Sequence, residues 1–202
     1  VNGLMTHTND PHTQRILILD FGSQYTQLVA RSIRELNVYC EIMPFDVDIG
    51  RINSFNPAGV VLSGGPATVT EIDTPRADPE LFELRCPILG ICYGMQTMAA
   101  QLGGEVETSK QREYGFSEIR VISSSPLIGR LHDRLDDDGT RFLQVWMSHG
   151  DRVTTLPAGF KVLAVSENAP MAAIADLDRN YFGVQFHPEV THTTHGRAIM
   201  ER

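Results

Sequence analysis

The segment CPILGICYGMQ, residues 86–96, reads as an apolar strand that turns sharply into a helix. Cys92 lies at the turn, with Gly90 and Gly94 on either side of it. The spacing Gly-x-Cys-x-Gly is the cysteine counterpart of the nucleophile elbow, whose glycines permit a tight turn that exposes one side chain. The helix N-terminus beneath such a thiol favours the thiolate. The segment therefore predicts a nucleophilic cysteine, against the alternative of a small buried hydrophobic residue at a strand end.

Strand and helix patterns alternate through the first half of the chain. The strand candidates are apolar runs of strand length, at residues 16–20, 38–43, 59–62 and 87–91. The helix candidates have helical spacing or helix-start signals, at residues 25–36, 73–84 and 94–102. Strands that alternate with helices predict right-handed crossovers and a parallel sheet covered on both sides.

The second half of the chain has short alternating runs in place of helical patterns. Its strand candidates are residues 116–122, 142–146, 160–165, 172–175 and 181–186. We therefore expect an α/β fold: an open, mostly parallel, doubly wound sheet flanked by helices, with an antiparallel extension in the second half. Residues 15–202 are expected to form a single domain, and the polar residues 1–14 a disordered tail or an expression remnant.

Charge, cysteine content and hydropathy argue against several classes of partner. The formal net charge of the 202 residues is −8, whereas nucleic acid and anionic membranes attract a basic face. No apolar run approaches the length of a membrane span. Three cysteines without framework spacing indicate free thiols in a reducing compartment. We therefore expect a cytoplasmic protein that binds no nucleic acid and no membrane.

Four polar loops follow strand candidates, at residues 21–24, 63–66, 92–96 and 187–189. Ligands of open α/β sheets bind at the carboxyl ends of the strands, so these loops are expected to meet at one site. A cysteine nucleophile needs a base and a group that orients the base. The last loop is His187-Pro188-Glu189, and an extended chain held by the proline would place both outer side chains on one face. They are a candidate base and orienter, although a histidine at a strand end is more often structural.

Two backbone N–H groups are candidates for an oxyanion site. Gly64 and Gly65 follow a strand, and glycines leave their N–H groups uncovered. By analogy with elbow enzymes, the N–H of Tyr93 would be the second donor. The alternative for the glycine pair is a simple turn.

A cluster of potential metal ligands occurs near the C-terminus, at His187, Glu189, His192 and His195. The spacing does not match His-Glu-x-x-His, and it gives no helical pair of histidines that flank a glutamate. We therefore expect no metal site.

Taken together, these motifs resemble the class I glutamine amidotransferases, whose Cys-His-Glu triad has the form G-x-C-x-G…H-P-E. Three segments are similar to the glutaminase domains of one branch, the GMP synthases: DFGSQY (20–25), WMSHGD (146–151) and HPEVTHT (187–193). The resemblance extends from about Ile16 to the C-terminus. Residues 112–115, REYG, also resemble a segment of the family, but the sequence suggests no physical role for them.

The resemblance implies a role for each matching residue. Cys92 would be the nucleophile, His187 the base and acid, and Glu189 its orienter. The oxyanion would be bound by the N–H groups of Gly65 and Tyr93. The residues implied for binding the rest of glutamine, including its α-amino and α-carboxylate groups, are Gly64, Gln96, Ser148, Gly150 and Asp151.

The resemblance also implies a partner. In GMP synthases the glutaminase domain releases ammonia from glutamine, and an ATP-pyrophosphatase domain uses it to convert XMP to GMP. This sequence contains no phosphate loop of that kind, so we expect no cofactor in this chain and place ATP and magnesium in a separate synthetase domain or subunit. Without that partner we expect slow hydrolysis of glutamine. Candidate interface segments are the rim loops at residues 20–25 and 191–195.

Three alternative functions stay open on the motifs alone. The chain could be the glutaminase subunit of another synthase, for carbamoyl phosphate, anthranilate or CTP. It could be a γ-glutamyl cysteine hydrolase that needs no ammonia acceptor. It could also be a non-catalytic binding module on the same fold, although such a module would be expected to have a broken triad.

Overall fold

The computed structural model of the protein describes residues 14–202, apart from the side chains of residues 110 and 111. The strands are β1 (Arg15–Asp20), β2 (Tyr39–Pro44), β3 (Gly59–Leu62), β4 (Ile88–Ile91), β5 (Glu105–Val121), β6 (Arg134–Leu135), β7 (Arg141–Thr155), β8 (Lys161–Val165), β9 (Ala173–Asp176) and β10 (Tyr181–Val184). The helices are α1 (Thr26–Glu35), α2 (Ile49–Phe55), α3 (Tyr93–Gln101) and α4 (Gly196–Glu201), with a short 3-10 helix at Pro79–Glu83. The predicted tail, residues 1–14, lies outside the described residues except for Gln14.

The described strands form one sheet in the order β2-β1-β3-β4-β10-β9-β8-β5-β7-β6. The first five strands in that order are parallel to one another. The pairings from β10 through β9 to β6 are antiparallel. This arrangement confirms the doubly wound sheet with an antiparallel extension. Because β4 and β10 are parallel neighbours, their carboxyl ends bring the elbow and the HPE segment to the same edge.

Two hydrophobic cores cover the two faces of the sheet. On one face, α1 and α4 pack through Val29, Ile33 and Ile199. On the other face, α2 and α3 pack through residues that include Phe55 and Met95. A fully buried side chain of this size stabilises the fold by roughly 1.5–3 kcal/mol. Among the described residues, no helix is both long and apolar enough to span a membrane.

The predicted helix at residues 73–84 is wrong. Only Pro79–Glu83 is helical, as a 3-10 helix. Pro79 is the reason, because a proline lacks the N–H that a continuing helix needs and restricts the residue before it to extended backbone. Asp78 accordingly has φ −56° and ψ 127°, and its carboxylate accepts a hydrogen bond from the N–H of Glu80 at 3.0 Å.

Two further elements differ from the sequence prediction. The helix α2 was not predicted; it is only seven residues long, and Asp48 caps it by accepting from the N–H of Gly50 at 2.8 Å. The segment 147–151, MSHGD, was expected between strands but lies inside β7. The strands β5 and β7 pair as a long ribbon. The backbone of this segment is therefore part of the sheet and not of a loop.

Candidate active site

Cys92 occupies a strained strand-to-helix turn, as the elbow motif predicts. It precedes the first residue of α3 and has φ 52° and ψ −108°, a conformation that non-glycine residues rarely adopt. The flanking glycines are needed for close packing. A Cβ at Gly90 would lie 2.6 Å from the backbone nitrogen of Met95, and a Cβ at Gly94 would lie 2.1 Å from the carbonyl oxygen of Leu62. Neither contact is sterically possible, so only glycine fits at these positions.

The thiol of Cys92 is 95% buried but lines the cavity at the sheet edge. Its Sγ lies 3.5 Å from the carbonyl oxygen of Ser148, to which it donates when protonated. The side-chain amide of Gln185 donates to Sγ at 3.7 Å. The sulfur is thus held between a backbone acceptor and a side-chain donor at the edge of the sheet.

His187 and Glu189 form a buried pair beside the thiol. Nδ1 of His187 lies 2.7 Å from Oε1 of Glu189, and the two side chains are only 4% and 1% exposed. Because the carboxylate accepts, Nδ1 carries a proton and Nε2 is directed away from Glu189. The ring of Tyr25 packs edge-on against the imidazole, with ring centroids 5.1 Å apart. The structure therefore brings all three residues of the predicted triad together.

The pKa of His187 is raised to about 10. Burial alone would lower it, because burial penalises the charged imidazolium. Hydrogen bonds with Cys92 and Glu189 and the negative charges of both groups outweigh that penalty. The site therefore favours a proton on His187 beside the thiol.

The predicted geometry of the HPE segment needs correction. An extended chain was expected, but residues 188 and 189 form a turn directly after His187. The turn, rather than strand alternation, brings the carboxylate to the imidazole. It is held by Thr193, whose hydroxyl donates to the carbonyl oxygen of His187 at 2.6 Å and accepts from the N–H of Trp146 at 3.1 Å.

The Gly64–Gly65 loop lies against the elbow at the same edge. A Cβ at Gly64 would lie 3.2 Å from Cε1 of His187, and a Cβ at Gly65 would lie 2.5 Å from the carbonyl oxygen of Phe21. Ser63 fixes this loop, since its hydroxyl accepts from the N–H of Phe21 and donates to the carbonyl oxygen of Gly64. The N–H of Tyr93 begins α3, where a helix provides no internal acceptor. Gly65 and Tyr93, the residues of both predicted oxyanion donors, thus line the same cavity as Cys92.

The cavity at this edge has a volume of about 740 Å³. The predicted substrate-binding residues Gln96, Ser148, Gly150 and Asp151 all line it, whereas Gly64 does not, although a Cβ there would lie 3.7 Å from Cβ of Cys92. Gln96 is nearly fully buried, and its Nε2 donates to the carbonyl oxygen of Asp151 at 2.9 Å and to Gln185 at 3.1 Å. Both of its N–H groups are therefore used within the protein, which leaves its carbonyl oxygen for a ligand.

The candidate metal ligands have separate partners. His192 packs on Trp146 with ring centroids 4.5 Å apart, and His195 contacts the carbonyl oxygen of His132 at 3.1 Å and Asp133 at 3.4 Å. Within residues 14–202, no three His, Cys, Asp or Glu residues are grouped so that they could hold a metal ion.

A sequence profile of the family described as glutamine amidotransferase class-I matches residues 17–202. The chain belongs to this family of class I glutamine amidotransferases. Among curated relatives, this amidotransferase is 58% identical over 189 residues to the glutamine-hydrolyzing GMP synthase of Methylobacillus flagellatus, which covers 94% of this chain and 36% of that protein. The corresponding protein of Marinobacter nauticus is 56% identical over 190 residues, with the same two coverages of 94% and 36%. The chain thus spans little more than a third of these relatives.

Solved structures give the same family fold. A Thermoplasma acidophilum protein described as a candidate GMP synthase subunit has a TM-score of 0.76 and 29% identity, covering 92% of this chain and 89% of that chain. A glutamine amidotransferase of Thermotoga maritima has a TM-score of 0.68 at 23% identity, covering 88% and 76% of the two chains. The second comparison supports the fold alone.

Some residues of the amidotransferase site were missed by motif reasoning. Gln185 directly follows β10, two residues before His187, and is fully buried against the thiol. His149 and Glu113 form a second buried pair, with Nε2 and Oε2 3.2 Å apart. A buried polar residue within an otherwise apolar strand, such as the glutamine in YFGVQF, is the sequence signal that could have identified Gln185.

Proposed function

We propose that this chain hydrolyses the side-chain amide of glutamine through a thioester on Cys92, and that the ammonia is used to convert XMP to GMP. The observation that carries the proposal is the convergence at one cavity of a strained cysteine, a buried His187–Glu189 pair and two backbone donors. The same residue types in this arrangement are required for acyl transfer to a cysteine.

The first half of the reaction forms the thioester. The thiolate of Cys92 attacks the carboxamide carbon of glutamine, and the oxygen of that group becomes an oxyanion near the N–H groups of Gly65 and Tyr93. His187 then gives its proton to the amide nitrogen, the carbon–nitrogen bond breaks, and ammonia leaves. The raised pKa of His187 supports this step, because the imidazole holds its proton until the nitrogen can take it.

The second half of the reaction needs His187 to act as a base. Part of the rise in its pKa comes from its hydrogen bond and charge interaction with Cys92. Once Cys92 is acylated, the sulfur is neutral and that contribution disappears. The imidazole can then remove a proton from water, which attacks the thioester carbon and releases glutamate and the thiolate. The covalent intermediate thus switches the histidine from acid to base.

The ammonia acceptor is proposed from the relatives. The curated relatives from Methylobacillus flagellatus and Marinobacter nauticus are named glutamine-hydrolyzing GMP synthases, and the chain spans 36% of their length. We therefore infer that the partner is a synthetase domain or subunit, with ATP and magnesium bound there. The three cysteines are all free and buried, which supports a reducing cytoplasmic setting for the enzyme.

A comparison of glutamate release by the wild type and two variants tests the proposal. Cys92→Ala should lower kcat by at least about a thousandfold, since the nucleophile is lost. For Glu189→Gln the fold-decrease in kcat should be about two orders of magnitude smaller than for Cys92→Ala, because Glu189 only orients His187. Cys40→Ala is the matched control, as that buried thiol lies in the core away from the cavity. Equal activity of Cys92→Ala and wild type would overturn the proposal.

A further inference from the structure

The REYG segment, residues 112–115, follows an irregularity in the β5–β7 ribbon. Thr108 pairs with Asp151 and Glu113 pairs with His149, so one residue of β7, Gly150, faces four residues of β5, 109–112. Such a bulge bends the strand and re-aims the side chains at its end. The bulge borders the active-site cavity, because Thr108, Gly150 and Asp151 all line that cavity.

Glu113 anchors the end of the bulge in the protein interior. Its carboxylate accepts from Ser117 at 2.6 Å and Ser166 at 3.3 Å, and it pairs with His149. The other ring nitrogen of His149 lies 2.9 Å from the carbonyl oxygen of Asp151. The two ring nitrogens of His149 thus face two acceptors, the carboxylate of Glu113 and the carbonyl oxygen of Asp151. The ion pair therefore fixes β5 to the cavity-lining part of β7.

Arg112 is the last residue of the bulge and directly precedes the anchored Glu113. It lies across Gly150, where a Cβ would be 3.7 Å from its side chain, and it lines the cavity. No described carboxylate forms an ion pair with its guanidinium. Apart from histidines, Arg112 is the only cationic residue among the described residues that line the cavity. The guanidinium of Arg112 is thus available to donate two hydrogen bonds to a ligand in the cavity.

The distribution of charge in the cavity matches an α-amino acid. The acidic residues Asp151 and Glu71 also line it, and the carboxylate of Asp151 makes no hydrogen bond to another described residue. A substrate with its carboxamide at Cys92 has its α-carbon three bonds further on, with one positive and one negative substituent. A guanidinium fork fits a carboxylate better than any other side chain does.

We propose that Arg112 binds the α-carboxylate of glutamine and makes the site specific for amides that carry a free α-carboxylate. The inference rests on the proposed glutaminase function, and it gives a role to Arg112, which the family resemblance leaves without one. Arg112 contributes to the binding of glutamine, whereas Cys92 and His187 break the carbon–nitrogen bond of its side-chain amide. The Glu113–His149 ion pair holds the strand from which Arg112 extends.

The test measures alkylation of Cys92 by two probes, followed by peptide mass spectrometry. 6-Diazo-5-oxo-L-norleucine carries the α-amino and α-carboxylate groups of glutamine, and iodoacetamide carries neither. Arg112→Gln should raise the KI of the diazo-ketone by about 10- to 100-fold, the range expected for a lost charge-assisted hydrogen bond, and leave the iodoacetamide rate unchanged. Arg112→Lys should recover part of the loss, because it keeps the charge without the fork.

Arg120→Gln is the matched control, since Arg120 is an exposed residue of the same strand outside the cavity. A second comparison uses L-glutaminamide, whose α-carboxylate is replaced by an amide: Arg112→Gln should weaken the hydrolysis of glutamine but not that of L-glutaminamide. Equal losses for both substrates, or an unchanged KI, would overturn the role of Arg112. Failure of the diazo-ketone to label Cys92 in the wild type would instead contradict the proposed glutaminase function.

Discussion

At the scale of single residues, the conformation of Cys92 has an energetic cost. A non-glycine residue in a sparsely populated backbone region costs of order 1–3 kcal/mol. Cys92 holds φ 52° because the strand, the helix and the two glycines around it are fixed by packing. The strain places the sulfur in the cavity, between Ser148 and His187.

We therefore expect Cys92→Gly to be more stable than Cys92→Ala. Glycine adopts the positive φ without strain, whereas alanine keeps the strain and also removes the sulfur. Allowing for the greater flexibility of glycine in the unfolded chain, the difference in free energy of unfolding should be about 0.5–1 kcal/mol. Urea denaturation of the two inactive variants measures it directly. A less stable glycine variant would show that the turn is not strained.

The charge state of His187 provides a second prediction. In the wild type the proton should leave the imidazole only as the pH rises through about 10. Cys92→Ala removes the hydrogen bond and the charge of the sulfur but keeps burial, which lowers the pKa, and Glu189, which raises it. The pKa of His187 should therefore fall in this variant. Titration of the imidazole nitrogens by NMR measures the change, and an unchanged pKa would contradict the switch from acid to base.

The meeting of Cys92, His187 and Glu189 at one cavity could be predicted from sequence because short motifs contain these residues. The elbow shows that Cys92 is exposed to a cavity, and the HPE segment provides a base and its orienter. Contacts between distant segments carry no such local signal. The amide of Gln185 on Cys92 and the ring of Tyr25 on His187 depend on how β10 and α1 are placed, which only the folded structure shows.

At the scale of elements, the β5–β7 ribbon depends on the Glu113–His149 ion pair. Burial would raise the pKa of Glu113, but the hydrogen bonds from His149 and Ser117 and the charge of His149 lower it overall. A carboxylate with a lowered pKa stabilises the fold above its unfolded pKa, about 4.3, and this contribution is lost as the pH falls through the folded value. The ribbon should therefore weaken in acid.

Glu113→Gln should destabilise the protein by about 1–3 kcal/mol at pH 7, because the amide cannot replace all the buried hydrogen bonds that the carboxylate makes with His149, Ser117 and Ser166. The difference from wild type should begin to shrink as the pH falls below the unfolded pKa of about 4.3, and it should vanish below the lowered folded pKa, where the wild-type carboxylate is also neutral. Urea denaturation at pH 7 and pH 4 tests both points. Glu107→Gln, an exposed position on the same strand, should change stability by less than about 0.5 kcal/mol. A constant difference at both pH values would contradict the ion pair.

Element prediction succeeded where one physical signal dominated. Buried parallel strands such as β1 and β3 are continuous apolar runs, so their positions follow from composition. The helix prediction at residues 73–84 failed because Pro75 was read as a helix start, whereas Pro79 inside the same segment prevents continuation. The length of β5 was underestimated, because its first part contains charged residues and pairs across a bulge.

At the scale of the whole molecule, the exposed surface around Trp146 and His192 is the expected contact with the synthetase partner. His192 packs on Trp146 beside the turn that holds Glu189 and Thr193. Tyr114 and Phe116, which are 63% and 61% exposed, extend this surface along β5 to the cavity. A partner bound to this surface would contact the turn that carries Glu189 and one side of the cavity.

His192→Ala should therefore impair coupling more than glutamine binding. In the assembled enzyme, the ratio of GMP formed to glutamine hydrolysed should fall several-fold, while the KM for glutamine changes by less than about twofold, in the range of an exposed substitution. The same variant without partner should hydrolyse glutamine as the wild type does. Equal losses in coupling and in glutamine binding would place His192 in the glutamine site instead.

The central claim, a γ-glutamyl thioester on Cys92, is tested most directly by trapping that intermediate. The protein, with its synthetase partner present, is mixed with L-glutamine and quenched in acid, and its peptides are analysed by mass spectrometry. We predict a hydroxylamine-sensitive γ-glutamyl adduct on the peptide that contains Cys92 and none on Cys40 or Cys86. Release of glutamate with no adduct on Cys92, or with the adduct on another cysteine, would contradict the account.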